Sequence, residues 1–189
     1  MMNKALLKLC ILFFIGTFLI PFIAAQTVIL HTSEGDITLK LFPNDAPKTV
    51  ENFLHYAKEG RYDNVIVHRV VRNAIIQTGG YYLSEGTLSP VPAFEPIVNE
   101  SRNGVYNAKG TIAMARFDDP DSATSQFFIN LKDNIELNAT EKTLGYTVFG
   151  RVLSGWDVLK KIGTTPVKKQ GKHESLPVTP ILVKSVEIR

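Results

Sequence analysis

The most constraining feature of this chain is how its apolar residues are packaged. They come in short alternating or β-branched runs, each closed by glycine, proline or a polar turn. Residues 27–32 (TVILHT), 36–42 (DITLKLF), 65–71 (VIVHRVV), 74–78 (AIIQT), 111–115 (TIAMA), 126–131 (QFFINL), 147–153 (TVFGRVL) and 181–188 (ILVKSVEI) all read as strands. Helical spacing appears in two places. Val50, Phe53, Leu54 and Ala57 form one stripe, with Asp45 as its expected cap, Pro47 in its first turn and Gly60 at its end. Trp156, Val158, Leu159 and Ile162 form the other, capped by Ser154 and ended by Gly163. The stretch 81–106, with Pro90, Pro92 and Pro96, reads as a long ordered loop, 164–180 as a polar, lysine-rich loop, and Ser33-Glu34-Gly35 as a hairpin turn. Many short strands and two helices predict a mainly β protein, a closed antiparallel barrel with the helices over its ends. Closure would remove the exposed edges that such strands otherwise present.

The first 25 residues stand apart. Lys4 and Lys8 precede an apolar run, Pro21 breaks it, and Ala24-Ala25 follow. This is the layout of a secretory signal peptide, so residues 1–25 are read as a leader and 26–189 as the single folded domain of an exported, periplasmic or secreted protein with no stable membrane insertion after processing. The alternative is an uncleaved anchor helix, for which the run is short. Cys10, the one cysteine of the chain, falls within this segment. It is read as apolar filler in preference to a lipid-attachment site. The domain then has no disulfide, no thiol nucleophile and no cysteine-based zinc site, and its core must hold it together. At 44% hydrophobic residues the chain has the apolar content for that. The net charge of +3 drops to +1 without Lys4 and Lys8, which argues against a nucleic-acid partner.

Chemistry-bearing residues concentrate around Val67-His68-Arg69-Val70-Val71, Gln77, Gly79-Gly80 and Ser125 to Asn130. Strand alternation sets Arg69 on the opposite face from His68 and Val70. From pattern alone, Arg69 is either an outward-facing arginine in water or a functional cation, and Gln77 an ordinary core amide or its partner. The four histidines, His31, His55, His68 and His173, lack the short spacing of a metal site. The Asp118-Asp119-Pro120-Asp121 group lacks the glycine and closing glutamate of a calcium loop. No metal or other cofactor is expected.

Four segments taken in order resemble the cyclophilins. They are the helix start Asp45-Ala46-Pro47-Lys48-Thr49-Val50-Glu51-Asn52-Phe53, the run from Val67 to Gly80, Gly110 to Arg116, and Asp121 to Asn130. With the leader, the chain is most similar to the periplasmic bacterial branch. The resemblance implies an eight-stranded barrel and peptidyl-prolyl cis-trans isomerase activity on proline-containing polypeptides, by a monomer. It implies Arg69 as the catalytic arginine and Gln77 as the residue that orients it. It implies Phe128 and Leu137 as walls of the proline pocket, Ala115 and Arg116 as the edge along which substrate lies, Gln126 as the lining of a neighbouring pocket, and Tyr146 as a substrate-binding residue at a position that is histidine in some members and tyrosine in the bacterial branch. The chain departs from the family at several points. Arg72-Asn73-Ala74-Ile75 replaces Pro-Gly-Phe-Met, so Ala74 stands for the aromatic floor of the pocket and Ile75 for a methionine. Thr78 replaces a glycine, Val67 a phenylalanine, and Glu136 the aromatic rim residue. Tyr81 or Tyr82 is a candidate to refill the missing wall. With the floor reduced, a proline-binding chaperone with little turnover is the alternative to an active isomerase. The loss of the rim aromatic implies weak or no cyclosporin binding.

Overall fold

The structure is a computed structural model that describes residues 26–189; the leader reading and Cys10 lie outside it. Its first half contains β1 (Thr27–Thr32), β2 (Gly35–Leu41), α1 (Pro47–Lys58), β3 (Val65–Ile66), β4 (Arg69–Val71), β5 (Ile75–Thr78), β6 (Tyr81–Ser84) and β7 (Thr87–Pro90). Then come β8 (Thr111–Met114), β9 (Phe127–Asn130), a 3-10 turn (Ile135–Leu137), β10 (Val148–Ser154), α2 (Trp156–Gly163), β11 (Val167–Gln170), β12 (His173–Pro177) and β13 (Leu182–Ile188).

The fold is mainly β with two helices, as the pattern predicts. The strands pair antiparallel in the order β4-β5-β9-β8-β10-β2-β1-β13-β3-β6-β7, with β11-β12 as a separate hairpin. The expectation of a closed eight-stranded barrel is corrected here. The ladder has eleven strands and two ends, β4 and β7. It is nonetheless strongly curled. β3 lies near one end of the ladder and β4 at the other, yet only Val67 and His68 separate them in the chain. Two residues span roughly 10 Å from Ile66 to Arg69, so the sheet must wrap round to meet itself there. At the crossing the ladder is interrupted: Val67 N–H donates to the Ile181 carbonyl at 2.8 Å and His68 N–H to the Gln77 carbonyl at 3.2 Å.

The inside of the curl is the core. Val28, Leu30, Leu39, Leu41, Ile112, Phe127 and Phe149 are all at most 1% exposed. Helix α1 covers it with the expected stripe of Val50, Phe53, Leu54 and Ala57. Phe53 sits between Tyr62, Phe127 and Phe149, with ring centroids 5.2 to 5.3 Å away, within the range at which aromatic pairs attract beyond their burial.

Both predicted caps are corrected. Asp45 does not cap α1, since Ala46 holds the N-cap position. The carboxylate of Glu100 instead accepts from the Lys48 and Thr49 N–H groups at 3.1 and 2.9 Å, and from the Thr49 hydroxyl at 2.7 Å. An anion at a helix start satisfies orphan donors and complements the helix dipole. Ser154 likewise ends β10 without capping α2, which starts from Gly155 at φ 93°. The two stretches read as loops each contain a hairpin, β6-β7 and β11-β12. Both are largely exposed, so no buried alternation marks them in the sequence.

Candidate functional site

The site is built on the outer face of the curled sheet. Strand register places Arg69 opposite Gln77, Gln77 opposite Phe128, and Phe128 opposite Ala113. Directly opposed residues share a face, so these four form one row across β4, β5, β9 and β8. Val70, Ile76 and Ile129 alternate to the core side. The arginine that pattern alone left open is thus turned away from the core and toward Gln77. Its Nη1 donates to Gln77 Oε1 at 3.1 Å.

Beside this row lies an open cavity of about 290 Å³. It is lined by ten of the sequence-derived site residues: Arg69, Ala74, Ile75, Gln77, Ala115, Arg116, Phe128, Glu136, Leu137 and Tyr146. Gln126 is not among the lining residues. It is half-buried next to Gln77, and its Oε1 accepts from Gln77 Nε2 at 3.0 Å and from His68 Nε2 at 3.1 Å. Gly80 permits that placement, since a Cβ there would lie 2.7 Å from Gln126 Cδ.

The walls are apolar and cross-braced. The Phe128 and Tyr146 rings meet edge to face at 5.6 Å, and the Arg116 guanidinium lies 4.9 Å over the Tyr146 ring. Arg116 also donates to the carbonyls of Gly145 and Leu144 at 3.2 and 2.9 Å and of Phe117 and Asp118 at 2.7 and 3.3 Å. It therefore serves as a brace for the 144–146 segment.

Two lining residues were not singled out in the sequence, Val71 and Asn134. Val71 was readable, because it lies two residues along β4 from Arg69. Asn134 was not. It is 2% exposed and belongs to a chain of buried amides. Asn134 Nδ2 donates to the Ala74 carbonyl at 3.1 Å and to Asn130 Oδ1 at 2.8 Å. Asn130 Nδ2 donates to Asn107 Oδ1 at 3.2 Å, and Asn107 Nδ2 to the Leu137 carbonyl at 3.2 Å. The network ties the Ala74 floor to the Leu137 wall through groups that are satisfied where burial makes that necessary.

The departures have local explanations. Asn73 takes the left-handed turn at φ 56°, a conformation asparagine tolerates better than most residues. Thr78 is buried, and its hydroxyl donates to the Ile66 carbonyl at 2.9 Å. Val67 is buried in the core and borders a small cavity of about 100 Å³ below the two hairpins. Neither Tyr81 nor Tyr82 refills the pocket floor. Tyr81 packs edge-on to His68 and His173, and the Tyr82 hydroxyl donates to the Arg61 carbonyl at 2.9 Å. Of the site expectations, the refilled wall is the one the structure overturns.

His68 is 4% exposed. Burial, followed by the nearby His173 ring, lowers its pKa to about 4, against a partial rise from Gln126. Gln126 Oε1 accepts a hydrogen bond from Nε2–H, and Nδ1 has no partner among the described residues. The folded pKa lies below the unfolded value of 6.5. His68 therefore contributes stability in full above pH 6.5, and that contribution fades as pH falls toward 4. The shift corresponds to about 3 kcal/mol. Denaturation midpoints at pH 7 and pH 4.5 are expected to differ less in His68→Gln than in the unmodified protein; an unchanged difference would show that His68 is not the group responsible.

The comparisons agree with one another. A family model described as cyclophilin type peptidyl-prolyl cis-trans isomerase/CLD matches residues 27–188. The chain is 47% identical over 166 residues to a peptidyl-prolyl cis-trans isomerase of Streptomyces antibioticus, covering 86% of this chain and 98% of that one. It is 44% identical over 164 residues to peptidyl-prolyl cis-trans isomerase B of Escherichia coli K12, covering 85% and 98%. It is 38% identical over 190 residues to peptidyl-prolyl cis-trans isomerase A of Dickeya dadantii, covering 99% and 98%. Among solved structures, a Cryptosporidium parvum cyclophilin type isomerase crystallised in the presence of the dipeptide Ala-Pro superposes with a TM-score of 0.71 at 26% identity, over 87% of this chain and 99% of that one.

Proposed function

The chain belongs to the cyclophilin-type family of peptidyl-prolyl cis-trans isomerases and is an enzyme of that activity; on that premise we propose that Arg69, oriented by Gln77, acts on a proline seated in the cavity beside it. The observation that carries this reading is the Arg69–Gln77 hydrogen bond on the rim of a cavity walled by Phe128, Leu137 and Tyr146.

The chemistry is a rotation. Resonance makes the amide planar and sets a barrier of about 20 kcal/mol. As the bond twists, the proline nitrogen becomes pyramidal and regains a lone pair. A guanidinium held beside it can donate to that lone pair, which the planar amide lacks. The interaction exists in the transition state and not in the ground state, and so it accelerates the reaction. Arginine suits the role because it is always charged and presents several donors in a fixed plane. The apolar walls grip the ring while the other side of the bond turns, and Gln77, itself held by Gln126, keeps the guanidinium from swinging into water.

The substrates we propose are proline-containing segments of exported polypeptides, met in the periplasm or outside the cell. The arrangement of the first 25 residues supports this, as does the Dickeya relative, whose alignment spans 99% of this chain, the N-terminal segment included. Ala74 makes the proline pocket atypical, since a methyl group stands where the family places an aromatic floor. That feature favours a second reading, a proline-binding chaperone with little turnover. Exchange spectroscopy on a proline peptide, with the unmodified protein and with Arg69→Ala, separates the two. Catalysis that depends on Arg69 supports the enzyme mechanism; background rates from both support the binding module.

The rim yields a further expectation. Glu136 cannot supply the indole donor that cyclosporin meets in many cyclophilins, and a carboxylate there would have to be desolvated. Calorimetric titration is expected to show weak binding or none, and a submicromolar Kd would contradict the assignment of the rim.

A further inference from the structure

Deepening the isomerase reading, on which this inference rests, we propose that Glu136 makes the site select prolines flanked by a lysine or arginine. Glu136 is the one carboxylate among the described residues that line the cavity. It lies in the 3-10 turn Ile135–Leu137, directly before Leu137, which forms a wall. A peptide that seats its proline ring against Leu137 must lay a neighbouring residue across Glu136.

The carboxylate is free to meet that residue. Its side chain is 61% exposed, and its one ion-pair partner is Lys132 Nζ at 4.0 Å, the outer limit of such a contact. An exposed pair of this kind is weakly held, so a substrate cation can compete for it. Neither arginine of the cavity is ion-paired with it: among the described residues Lys132 is the cation within 4.0 Å of Glu136, while Arg69 donates to Gln77 and Arg116 to four carbonyls.

The test is kcat/KM, measured by exchange spectroscopy, for peptides that carry lysine, glutamine or glutamate on either side of a single proline. At one flank, lysine is expected to exceed glutamate by roughly three- to fivefold, the size appropriate to an exposed charge pair. The preference should shrink in 0.5 M salt. Glu136→Gln should abolish it. Lys132→Ala, which removes the competing cation from outside the cavity, should enlarge it. Equal values for all three peptides at both flanks, from protein that turns them over, would overturn the charge selection and leave the isomerase reading standing. Background rates on every peptide would overturn both.

Discussion

Replacing Arg69 by alanine is expected to lower kcat/KM for a proline peptide by roughly 100- to 1000-fold, the cost of removing one preorganised donor from a transition state. The fold should not suffer. Arg69 is exposed at the edge strand β4, and Gln77 is its side-chain hydrogen-bond partner, so the stability change should stay within about 0.5 kcal/mol. Arg69→Lys sharpens the test. It keeps the charge but loses the planar fork, and it should fall between the two. A wild-type rate from Arg69→Ala, with an unchanged denaturation midpoint, would remove the guanidinium from the mechanism. Gln77→Ala should show the weaker loss of a residue that positions another, and should move kcat more than KM.

The reverse experiment concerns Ala74. Burying a phenylalanine ring is worth roughly 2–3 kcal/mol, so Ala74→Phe is expected to tighten proline-peptide binding by as much as about 100-fold. The local geometry admits the change. Ala74 makes its hydrogen bonds through the backbone: its N–H donates to the Val71 carbonyl at 2.9 Å, and its own carbonyl accepts from Leu131 N–H at 2.8 Å and from Asn134 Nδ2 at 3.1 Å. A larger side chain leaves all three in place and points into an open space of about 290 Å³. The outcome is read as KM and as peptide Kd, each against the unmodified protein. Unchanged values for both would mean that the floor does not contribute to grip, and that the atypical pocket is a difference of sequence alone.

What the sequence made legible was everything that follows from alternation. Arg69 opposite Val70, the inward Ile37, Leu39 and Leu41, and the α1 stripe all follow from side-chain period and need no knowledge of partners. Ten of the eleven proposed site residues line one cavity because they lie in a few contiguous segments that the register brings side by side. Long-range polar contacts were not legible. Glu100 caps a helix that starts 53 residues earlier in the chain, and no local spacing announces it. The Asn107–Asn130–Asn134 chain joins three separate loops and strand ends through side-chain amides, each of which alone looks like a surface residue. The two missed hairpins failed for the opposite reason. They bury too little to leave a hydrophobic period, and prolines at Pro90 and Pro177 mark the ends of strands that in sequence look like the middle of loops.

The pairing of β1 with β13 has a consequence for how the chain comes to be folded. Val28 lies opposite Ile188, and the Arg189 N–H reaches the Thr27 carbonyl, so the opening strand completes its second side only when the final seven residues arrive. A chain made from its N-terminus keeps this seam open until β13 has been made. Such wide sequence separation slows the search for the native state, so the step that seats β13 beside β1 is expected to come late in folding.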